Sequence, residues 1–286
     1  MAPKKIALLT DSCCDLENRI KEEHHIYTVP LRILCEDGEY FDGVNITSAD
    51  IYDRLHAGEL PQTSLPSGEE IGKVFARIAA DGYDGVIAIM LSSGLSGTYN
   101  LVRLIAQECN MDVRVFDSLS GSLGMGMTLL QLAEDIEHGM AWEELVETRA
   151  PQLIAGTRPF FSVDTLEYLQ KGGRIGKVTA TAGTLLQIKP LLTFAPDGQL
   201  SSVAKVRGRN QVMDRLVKLT VEACGDHKRY NLAVANGGAP HEMETLRTKL
   251  MTALPDYDHI WEGEIDGTLS VYIGDGILGT AIQILD

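Results

Sequence analysis

Positively charged residues are scarce in this chain of 286 residues. It has 25 Lys and Arg against 40 Asp and Glu, which gives a formal net charge of −15 and a pI near 4.9. Nucleic-acid-binding proteins need a basic face, and anionic lipid surfaces attract clustered Lys and Arg. The charge balance argues against both partners. An anionic ligand would have to be held by a local site against an unfavourable overall field.

Cysteine pairs and long apolar runs are also missing. The five cysteines are odd in number, two are adjacent, and none forms a CxxC pair or has a histidine at ligand spacing. This pattern supports neither a disulfide scaffold nor a zinc site, and it indicates free thiols in a reducing cytoplasm. The longest apolar runs, such as residues 86–91, are far shorter than the roughly 18 residues that cross a bilayer. Residues 6–9 are too short for the apolar part of a signal peptide. We therefore expect a cytoplasmic protein.

Signature motifs of common enzyme classes are absent as well. No G-x-G-x-x-G opens a helix after a strand, and no G-x-S-x-G nucleophile elbow occurs. Residues 171–177 lack the spacing of a phosphate-binding P-loop, and residues 241–245 lack the final histidine of H-E-x-x-H. The carboxylates form no convincing acid–base pair. The sequence therefore predicts no catalytic residue, metal or cofactor.

Apolar periodicity predicts alternating strands and helices in the first half. The continuous apolar run 86–91 is typical of a strand that is buried on both faces. Thr47 and Ser67 each open a capping-box pattern before a helix. The order of elements predicts a parallel sheet with helices on both faces. The predicted strands are 6–9, 27–34, 86–91 and 113–116, and the later helices are 98–107, 119–138 and 142–155.

The second half changes character near Gly156, where we expect a boundary between one domain of residues 1–156 and another of residues 157–286. Apolar runs separated by turn residues predict a mixed or antiparallel sheet, so the whole chain is predicted to be α/β. The predicted strands are 159–163, 191–194, 201–205, 230–235, 259–264 and 270–274, and the predicted helices are 178–187, 209–224 and 241–253.

Two hydroxyl-rich loops are candidates for ligand binding. Residues 63–67 (TSLPS) precede a helix, and residues 92–98 (SSGLSGT) follow the buried strand. Ligands of open parallel sheets bind beyond the carboxyl ends of the strands, where hydroxyls and helix N-termini can hold an anion without any formal charge. Ser67 is most simply a helix cap. The second loop has four hydroxyls and two glycines, more than a cap needs, and predicts an anion site.

Two basic segments stand out in this acidic chain. Residues 171–177 and 205–209 together hold six of the 25 Lys and Arg. They fit a phosphate or an acidic partner surface, and solvated turns are an equal alternative. Two rival functions remain open: a binder of phosphorylated sugars or nucleotides, and a serine hydrolase or acyltransferase that uses Ser93 or Ser96. The hydrolase lacks a histidine with a motif context.

A series of motifs resembles the DegV family of bacterial fatty-acid-binding proteins, which includes the acyl-carrying subunits of the fatty-acid kinase system. Each motif alone is weak, but their joint order along nearly the whole chain is highly specific. They are residues 10–16 (TDSCCDL), 29–31 (VPL), 63–67 (TSLPS), 92–99 (SSGLSGTY), 116–118 (FDS), 166–169 (LEYL), 171–176 (KGGRIG), 186–190 (LQIKP) and 206–208 (VRG).

The resemblance implies an N-terminal Rossmann-like domain and a C-terminal α/β domain that enclose one long-chain fatty acid in a tunnel between them. The acyl carboxylate would be held by Thr63 and Ser93, with Ser64, Gly94 and Ser96 as neighbours. A separate ATP-using fatty-acid kinase would convert the presented carboxylate to acyl phosphate for phospholipid synthesis.

The resemblance also implies contacts to the head group or to a partner protein, which map to Arg174 and Arg207. One motif departs from the family pattern near the C-terminus. Tyr272 stands where a histidine is expected before G-P-G-x-x-G, and Asp275 replaces the proline. A phenol donates a hydrogen bond but carries no positive charge at neutral pH, so the head-group contacts are expected to differ.

Overall fold

The computed structural model describes residues 4–178 and 188–286. Its strands are β1 (Ile6–Asp11), β2 (Ile26–Val29), β3 (Arg32–Cys35), β4 (Gly38–Phe41), β5 (Gln62–Ser64), β6 (Gly85–Met90), β7 (Asp112–Asp117), β8 (Thr157–Ser162), β9 (Ile188–Phe194), β10 (Leu200–Arg207), β11 (Tyr230–Gly237), β12 (Ile260–Glu264) and β13 (Ile277–Ile284).

The α-helices are α1 (Asn18–Glu23), α2 (Ser48–His56), α3 (Gly68–Ala80), α4 (Thr98–Ala106), α5 (Leu123–Glu137), α6 (Trp142–Glu144), α7 (Ala150–Gly156), α8 (Glu167–Lys171), α9 (Arg209–Cys224), α10 (Pro240–Ala253) and α11 (Gly267–Ile273). Within the described ranges, no helix combines the length and the apolar character needed to cross a membrane. The helix predicted over residues 178–187 lies outside the described residues, except for its first residue.

A four-stranded parallel sheet, in the order β2–β1–β6–β7, forms the N-terminal part and confirms the prediction. Successive side chains of a strand point to opposite faces. Accordingly, Ala7 and Leu9 pack with α3 and α4, whereas Leu8 packs with α5. Every residue of β6 is buried, which explains why its sequence is continuously apolar.

The single strand predicted over residues 27–34 is wrong. Pro30 has no amide hydrogen for a strand ladder, and the chain leaves the parallel sheet after β2. It then enters a separate antiparallel sheet with the order β4–β3–β5. In this sheet Arg32 lies opposite Ser64. The small sheet therefore fixes the beginning of the hydroxyl-rich loop 63–67.

A mixed six-stranded sheet, in the order β10–β9–β8–β13–β11–β12, forms the C-terminal part. Its neighbours pair antiparallel, except for the parallel pair β11 and β12. Leu232 and Val234 of β11 pack in one core with α9 and α10. Ala233 and Ala235 belong to the core on the opposite face, which contains α5. The predicted α/β fold with a mixed second sheet is confirmed.

The strand predicted over residues 270–274 is also wrong, because this segment is the end of helix α11. The β-branched and aromatic residues there favour a strand, but local capping decides otherwise. The Asp266 carboxylate accepts a hydrogen bond from the Leu269 N–H at 2.8 Å and starts the helix. Gly274, with φ near 69°, ends it.

Two further elements differ from the prediction. No strand is predicted where β13 lies, since Gly279 and Thr280 interrupt its apolar run, yet β13 is almost wholly buried between β8 and β11. The helix predicted over residues 142–155 is broken into α6, a wider π-helical turn over Leu145–Arg149, and α7.

Helix α5 connects the two parts of the molecule. It packs against β1 and β6 on one side and against β8, β11 and β13 on the other. The strands of the parallel sheet precede Gly156 and those of the six-stranded sheet follow it. The order of the elements is thus compatible with a boundary at residue 156, and the division into two domains stays a prediction.

Candidate functional site

A cavity of about 360 Å³ lies where α5 begins, against the inner face of the six-stranded sheet. The other walls come from β5, from the loop after β6 and from α11. Most of the lining side chains are apolar. Among the described residues that line the cavity, Arg174 is the one with a charged side chain. The lining fits an apolar ligand with one polar end.

Small residues on two neighbouring strands make room for this cavity. Ala233 lies opposite Ala281, and Ala235 lies opposite Gly279. All four line the cavity. Because these side chains stand perpendicular to the sheet, any larger residue at these positions would extend into the space. These two cross-strand pairs, Ala233–Ala281 and Ala235–Gly279, therefore form the floor of the cavity.

Aromatic and branched side chains form the walls. The rings of Phe161 and Phe194 lie 6.4 Å apart, centroid to centroid, and are tilted by 49°. Leu269 and Ile273 of α11 line the same cavity. An acyl chain would thus contact apolar atoms along its length, which is the arrangement that removes most methylene surface from water.

Polar side chains gather at one part of the lining. Thr63 Oγ1 lies 2.5 Å from the Tyr272 hydroxyl oxygen, and the Arg174 guanidinium lies 5.0 Å from the centroid of the Tyr272 ring. This distance is within the range of a cation–π contact. The predicted site residues that line the cavity are Thr63, Ser64, Ser96, Arg174 and Tyr272.

Backbone carbonyls hold the Arg174 side chain in this position. Its Nε–H donates to the Leu95 carbonyl oxygen at 3.4 Å, and one terminal NH₂ group donates to the Gly172 carbonyl oxygen at 2.8 Å. A guanidinium has five N–H donors. Donors therefore remain for a bound anion, and the orientation of the side chain is already set.

The loop 63–67 is anchored by the start of α3. Ser67 caps this helix, as predicted, and the Glu70 carboxylate accepts hydrogen bonds from the Ser67 N–H at 2.6 Å and from Arg32 at 3.0 Å. Burial raises the pKa of Glu70, but the hydrogen bonds from Ser67 and Arg32 outweigh this effect and leave the pKa below its ordinary value. The ionised carboxylate therefore ties β3 to α3.

The loop 92–98 packs against the turn between β9 and β10. The Ser92 hydroxyl donates to the Gly198 carbonyl oxygen at 2.7 Å. A side chain at Gly94 would collide with the Gly198 backbone, so this close approach requires glycine. Ser96 Oγ lies 2.8 Å from Thr98 Oγ1 and accepts a hydrogen bond from the Thr98 N–H.

Three predicted site residues lie away from the described lining. The Ser93 side chain is exposed, and its N–H donates to an Asp117 carboxylate oxygen at 3.1 Å. Gly94 forms the contact with the β9–β10 turn. Arg207 is exposed at the end of β10, an edge strand. Ser96 thus lines the cavity, whereas Ser93 and Arg207 are exposed and lie outside its described lining.

Three hydroxyl-bearing residues of the lining, namely Ser122, Thr268 and Thr280, were not predicted from the sequence. The oxygens of Ser122 and Thr268 are buried and have no hydrogen-bond partner within the described residues. Ser122 adopts φ near 54°, which is uncommon for a residue other than glycine. In the sequence, the serine- and glycine-rich segment 118–124 is a weak indication that Ser122 belongs to a binding site. No sequence pattern marks Thr268 as a lining residue, because only tertiary packing brings it to the cavity.

No histidine lines the cavity within the described part of the chain. Of the seven histidines, four pair with carboxylates elsewhere, namely His24, His56, His227 and His259. A serine nucleophile needs an adjacent base for activation. The geometry around Ser96 therefore offers a hydrogen-bonding hydroxyl and no described histidine to activate it.

Comparisons with known proteins agree over nearly the whole chain. A family model described as "Uncharacterised protein, DegV family" matches residues 5–284. A DegV domain-containing protein of Clostridium acetobutylicum is 36% identical over 280 residues, which cover 98% of this chain and 99% of that protein. A DegV domain-containing protein of Clostridium perfringens is 34% identical over 284 residues, with coverage of 98% and 99%.

Solved structures show the same similarity. A fatty-acid-binding DegV family protein from Thermus thermophilus has a TM-score of 0.91 and 30% identity, covering 98% of this chain and 100% of that one. DegV of Bacillus subtilis, described as a fatty acid binding protein, has a TM-score of 0.87 and 27% identity, with coverage of 99% and 100%. A stearic-acid-binding protein from Eubacterium ventriosum has a TM-score of 0.89 and 25% identity, with 98% coverage of both chains.

Proposed function

The chain belongs to the DegV family, and on that basis we propose that it binds one long-chain fatty acid, such as palmitate or oleate, in the cavity described above. The observation that carries the proposal is a mostly apolar lining in which Thr63, Tyr272 and Arg174 lie close together. The acyl chain lies along the alanine and glycine floor. The carboxylate lies at Thr63, Ser64, Ser96, Arg174 and Tyr272.

Burial of the acyl chain provides the affinity. Each methylene removed from water contributes about 0.8 kcal/mol, so a chain of about 15 methylenes gains roughly 12 kcal/mol before the ordering costs of binding are subtracted. An ionised carboxylate left without partners would cost several kcal/mol of this gain. The polar residues are therefore needed to prevent that loss.

Neutral donors suit the carboxylate in a protein with a net charge of −15. The hydroxyls of Thr63, Ser96 and Tyr272 can donate to carboxylate oxygens, and Arg174 adds one positive charge beside them. Tyr272 replaces the histidine expected in the family pattern. We infer that Arg174 supplies the charge while Tyr272 supplies a hydrogen bond.

A finer proposal concerns the fate of the bound acid. We propose that the protein presents the carboxylate to a separate cytoplasmic fatty-acid kinase, which transfers the γ-phosphoryl group of ATP to a carboxylate oxygen and releases ADP. The acyl phosphate then serves phospholipid synthesis. The exposed Arg207 and the loop with Ser93 and Gly94 are the proposed partner contacts. In this proposal the chain supplies no catalytic residue.

Mass spectrometry of lipid extracted from the purified protein tests the binding proposal. We expect one fatty acid per chain, and delipidated protein should rebind palmitate or oleate at the same stoichiometry. A protein that is isolated empty and fails to bind either acid would refute the proposal. A fluorophosphonate probe tests the hydrolase alternative: we expect neither Ser93 nor Ser96 to displace fluoride and become phosphonylated.

The kinase step has a separate test. Protein loaded with palmitate is mixed with ATP, a fatty-acid kinase and hydroxylamine. The hydroxylamine should convert the acyl phosphate to palmitoyl hydroxamate, which is then measured. Arg207→Ala should lower the rate while the fatty acid stays bound. An unchanged rate would exclude Arg207 as a partner contact without affecting the binding proposal.

A further inference from the structure

A second group of polar residues lies beside the cavity, all of them buried except the half-buried Asp266, and plays no part in the proposed carboxylate contacts. It consists of Cys13, in the turn after β1, with four aspartates around it. Asp11 and Asp15 flank the cysteine in sequence, Asp42 follows β4, and Asp266 precedes α11. We refer to these five residues as the acidic cluster.

Three ligand atoms of the acidic cluster converge on one point. Cys13 Sγ and one carboxylate oxygen each of Asp42 and Asp266 all lie within 4.8 Å of one another. The three residues come from segments far apart in the sequence. Local spacing around the cysteines therefore gives no sign of this arrangement, and the fold alone creates it.

Within residues 4–178 and 188–286, no Lys, Arg or His side chain forms an ion pair with a carboxylate of the acidic cluster. Buried carboxylates without a counter-ion are costly, which favours uptake of a cation.

Unsatisfied polar atoms provide an independent indication of a ligand. Thr268 is 3% exposed, and its hydroxyl oxygen has no hydrogen-bond partner in the described residues. Its N–H donates to Asp42 at 3.2 Å, which holds it next to the converging ligand atoms. One carboxylate oxygen each of Asp15 and Asp266 is equally buried and unpartnered. Such buried orphans are rare and point to a missing ligand.

We propose that Cys13, Asp42 and Asp266 bind a divalent cation of the zinc class. Zinc accepts thiolate sulfur together with carboxylate oxygen in a four-coordinate shell, whereas magnesium and calcium prefer oxygen alone. Asp15 offers a further oxygen ligand beside Asp266, since its carboxylate accepts the Asp266 N–H at 2.9 Å. Asp15 or a water completes the shell.

The cation would stabilise the wall of the cavity. Asp42 already accepts hydrogen bonds from the N–H groups of Gly267 and Thr268 at the start of α11. A metal at this point ties the turn after β1 and the loop after β4 to the helix that carries Tyr272. The proposed metal ligands are not among the residues proposed to contact the carboxylate. Metal binding and fatty-acid binding are therefore separate properties, and either can fail alone.

Equilibrium dialysis of the full chain against zinc after chelator treatment tests the proposal, with metal content measured by elemental analysis. We expect one zinc per chain in the wild type. Asp266→Asn should weaken zinc binding by roughly tenfold or more, while its amide oxygen can still cap α11. Cys13→Ser should have a similar effect, and Cys14→Ser, which alters the neighbouring buried thiol, should retain zinc.

Cobalt substitution identifies the sulfur ligand. Thiolate-to-cobalt charge-transfer absorption should appear in the wild type and in Cys14→Ser and be missing in Cys13→Ser. Circular dichroism establishes that each variant is folded. If Cys13→Ser does not fold, Asp266→Asn decides the question. Folded wild type that retains no zinc, or unchanged zinc affinity in Asp266→Asn, would overturn the proposal.

Discussion

The hydroxyl oxygen of Thr63 and the phenolic oxygen of Tyr272 lie 2.5 Å apart, and this contact joins β5 to α11 in the lining of the cavity. The two residues belong to opposite halves of the chain. Each hydroxyl is both a donor and an acceptor, so one hydrogen bond between them leaves a donor free for a bound carboxylate. The pair thus holds the two halves of the chain together and also offers a hydrogen bond to the carboxylate.

Tyr272→Phe tests this coupling. The variant keeps the ring beneath Arg174 but loses the hydroxyl, so fatty-acid affinity should fall by about 1 kcal/mol, or roughly fivefold in Kd. Titration of delipidated protein with a fluorescent fatty acid measures this change. Tyr99→Phe, at a half-buried tyrosine of α4 that packs against the core of the parallel sheet, should leave the affinity unchanged. Equal affinities of Tyr272→Phe and wild type would show that the phenol does not contact the carboxylate.

Ser96 and Ser93 provide a second, comparative prediction. Ser96 lines the cavity, whereas the Ser93 side chain is exposed. Ser96→Ala should therefore weaken fatty-acid binding by about 1 kcal/mol, and Ser93→Ala should weaken it less. The same titration measures both variants, with thermal unfolding as the control for stability. A larger loss in Ser93→Ala would place the carboxylate on the outer side of the loop.

The dependence of stability on pH should reveal the role of Glu70. Its pKa is lower in the folded protein than its ordinary value of 4.5, so the ionised form stabilises the fold. This contribution is complete above pH 4.5 and is lost as the pH falls through the lower, folded-state pKa. Urea unfolding of wild type and Glu70→Gln should give a difference of about 1 kcal/mol at neutral pH that shrinks in acid.

A control for this profile lies on the same helical turn. Glu69 pairs with Lys73 in an exposed i, i+4 contact, and such pairs contribute little. Glu69→Gln should therefore change stability much less than Glu70→Gln at every pH. If the wild-type advantage over Glu70→Gln were constant from neutral pH into acid, the carboxylate charge would not be the stabilising feature.

Local sequence signals predict the elements whose ends are set by neighbouring residues. The capping boxes at Thr47 and Ser67 are confirmed, because the cap and its partner lie three residues apart and need no tertiary contact. The wholly buried β6 is predicted for a similar reason, since its apolar run is continuous. These elements carry the loops that line the polar part of the cavity.

Long-range packing decides the features that the sequence does not predict. Residues 270–274 are an exception, because their composition is strand-like and the local cap at Asp266 makes them a helix. The alanines of the cavity floor are unremarkable in sequence, and they become a binding surface only through the register of β11 and β13. The same holds for the acidic cluster, whose members meet only after the two halves of the chain have packed together.

One larger side chain in the cavity floor should be enough to shorten the acyl-chain site. Ala233 is 1% exposed and points into the cavity opposite Ala281. Ala233→Leu should fill part of the 360 Å³ and shift binding from stearate toward shorter acids such as decanoate. The new side chain enters existing space, so the cost in stability should stay below the roughly 1–3 kcal/mol that is typical of overpacking.

Native mass spectrometry with an equimolar series of saturated acids, from decanoate to stearate, measures this shift directly. Ala76→Leu, at an exposed position of α3, adds the same atoms outside the cavity and should leave the chain-length profile of the wild type intact. A folded Ala233→Leu protein that still prefers the longest acids would show that the acyl chain follows another path. Loss of all binding by a folded Ala233→Leu protein would still assign the floor to the acyl chain, because the new side chain would then block the path entirely.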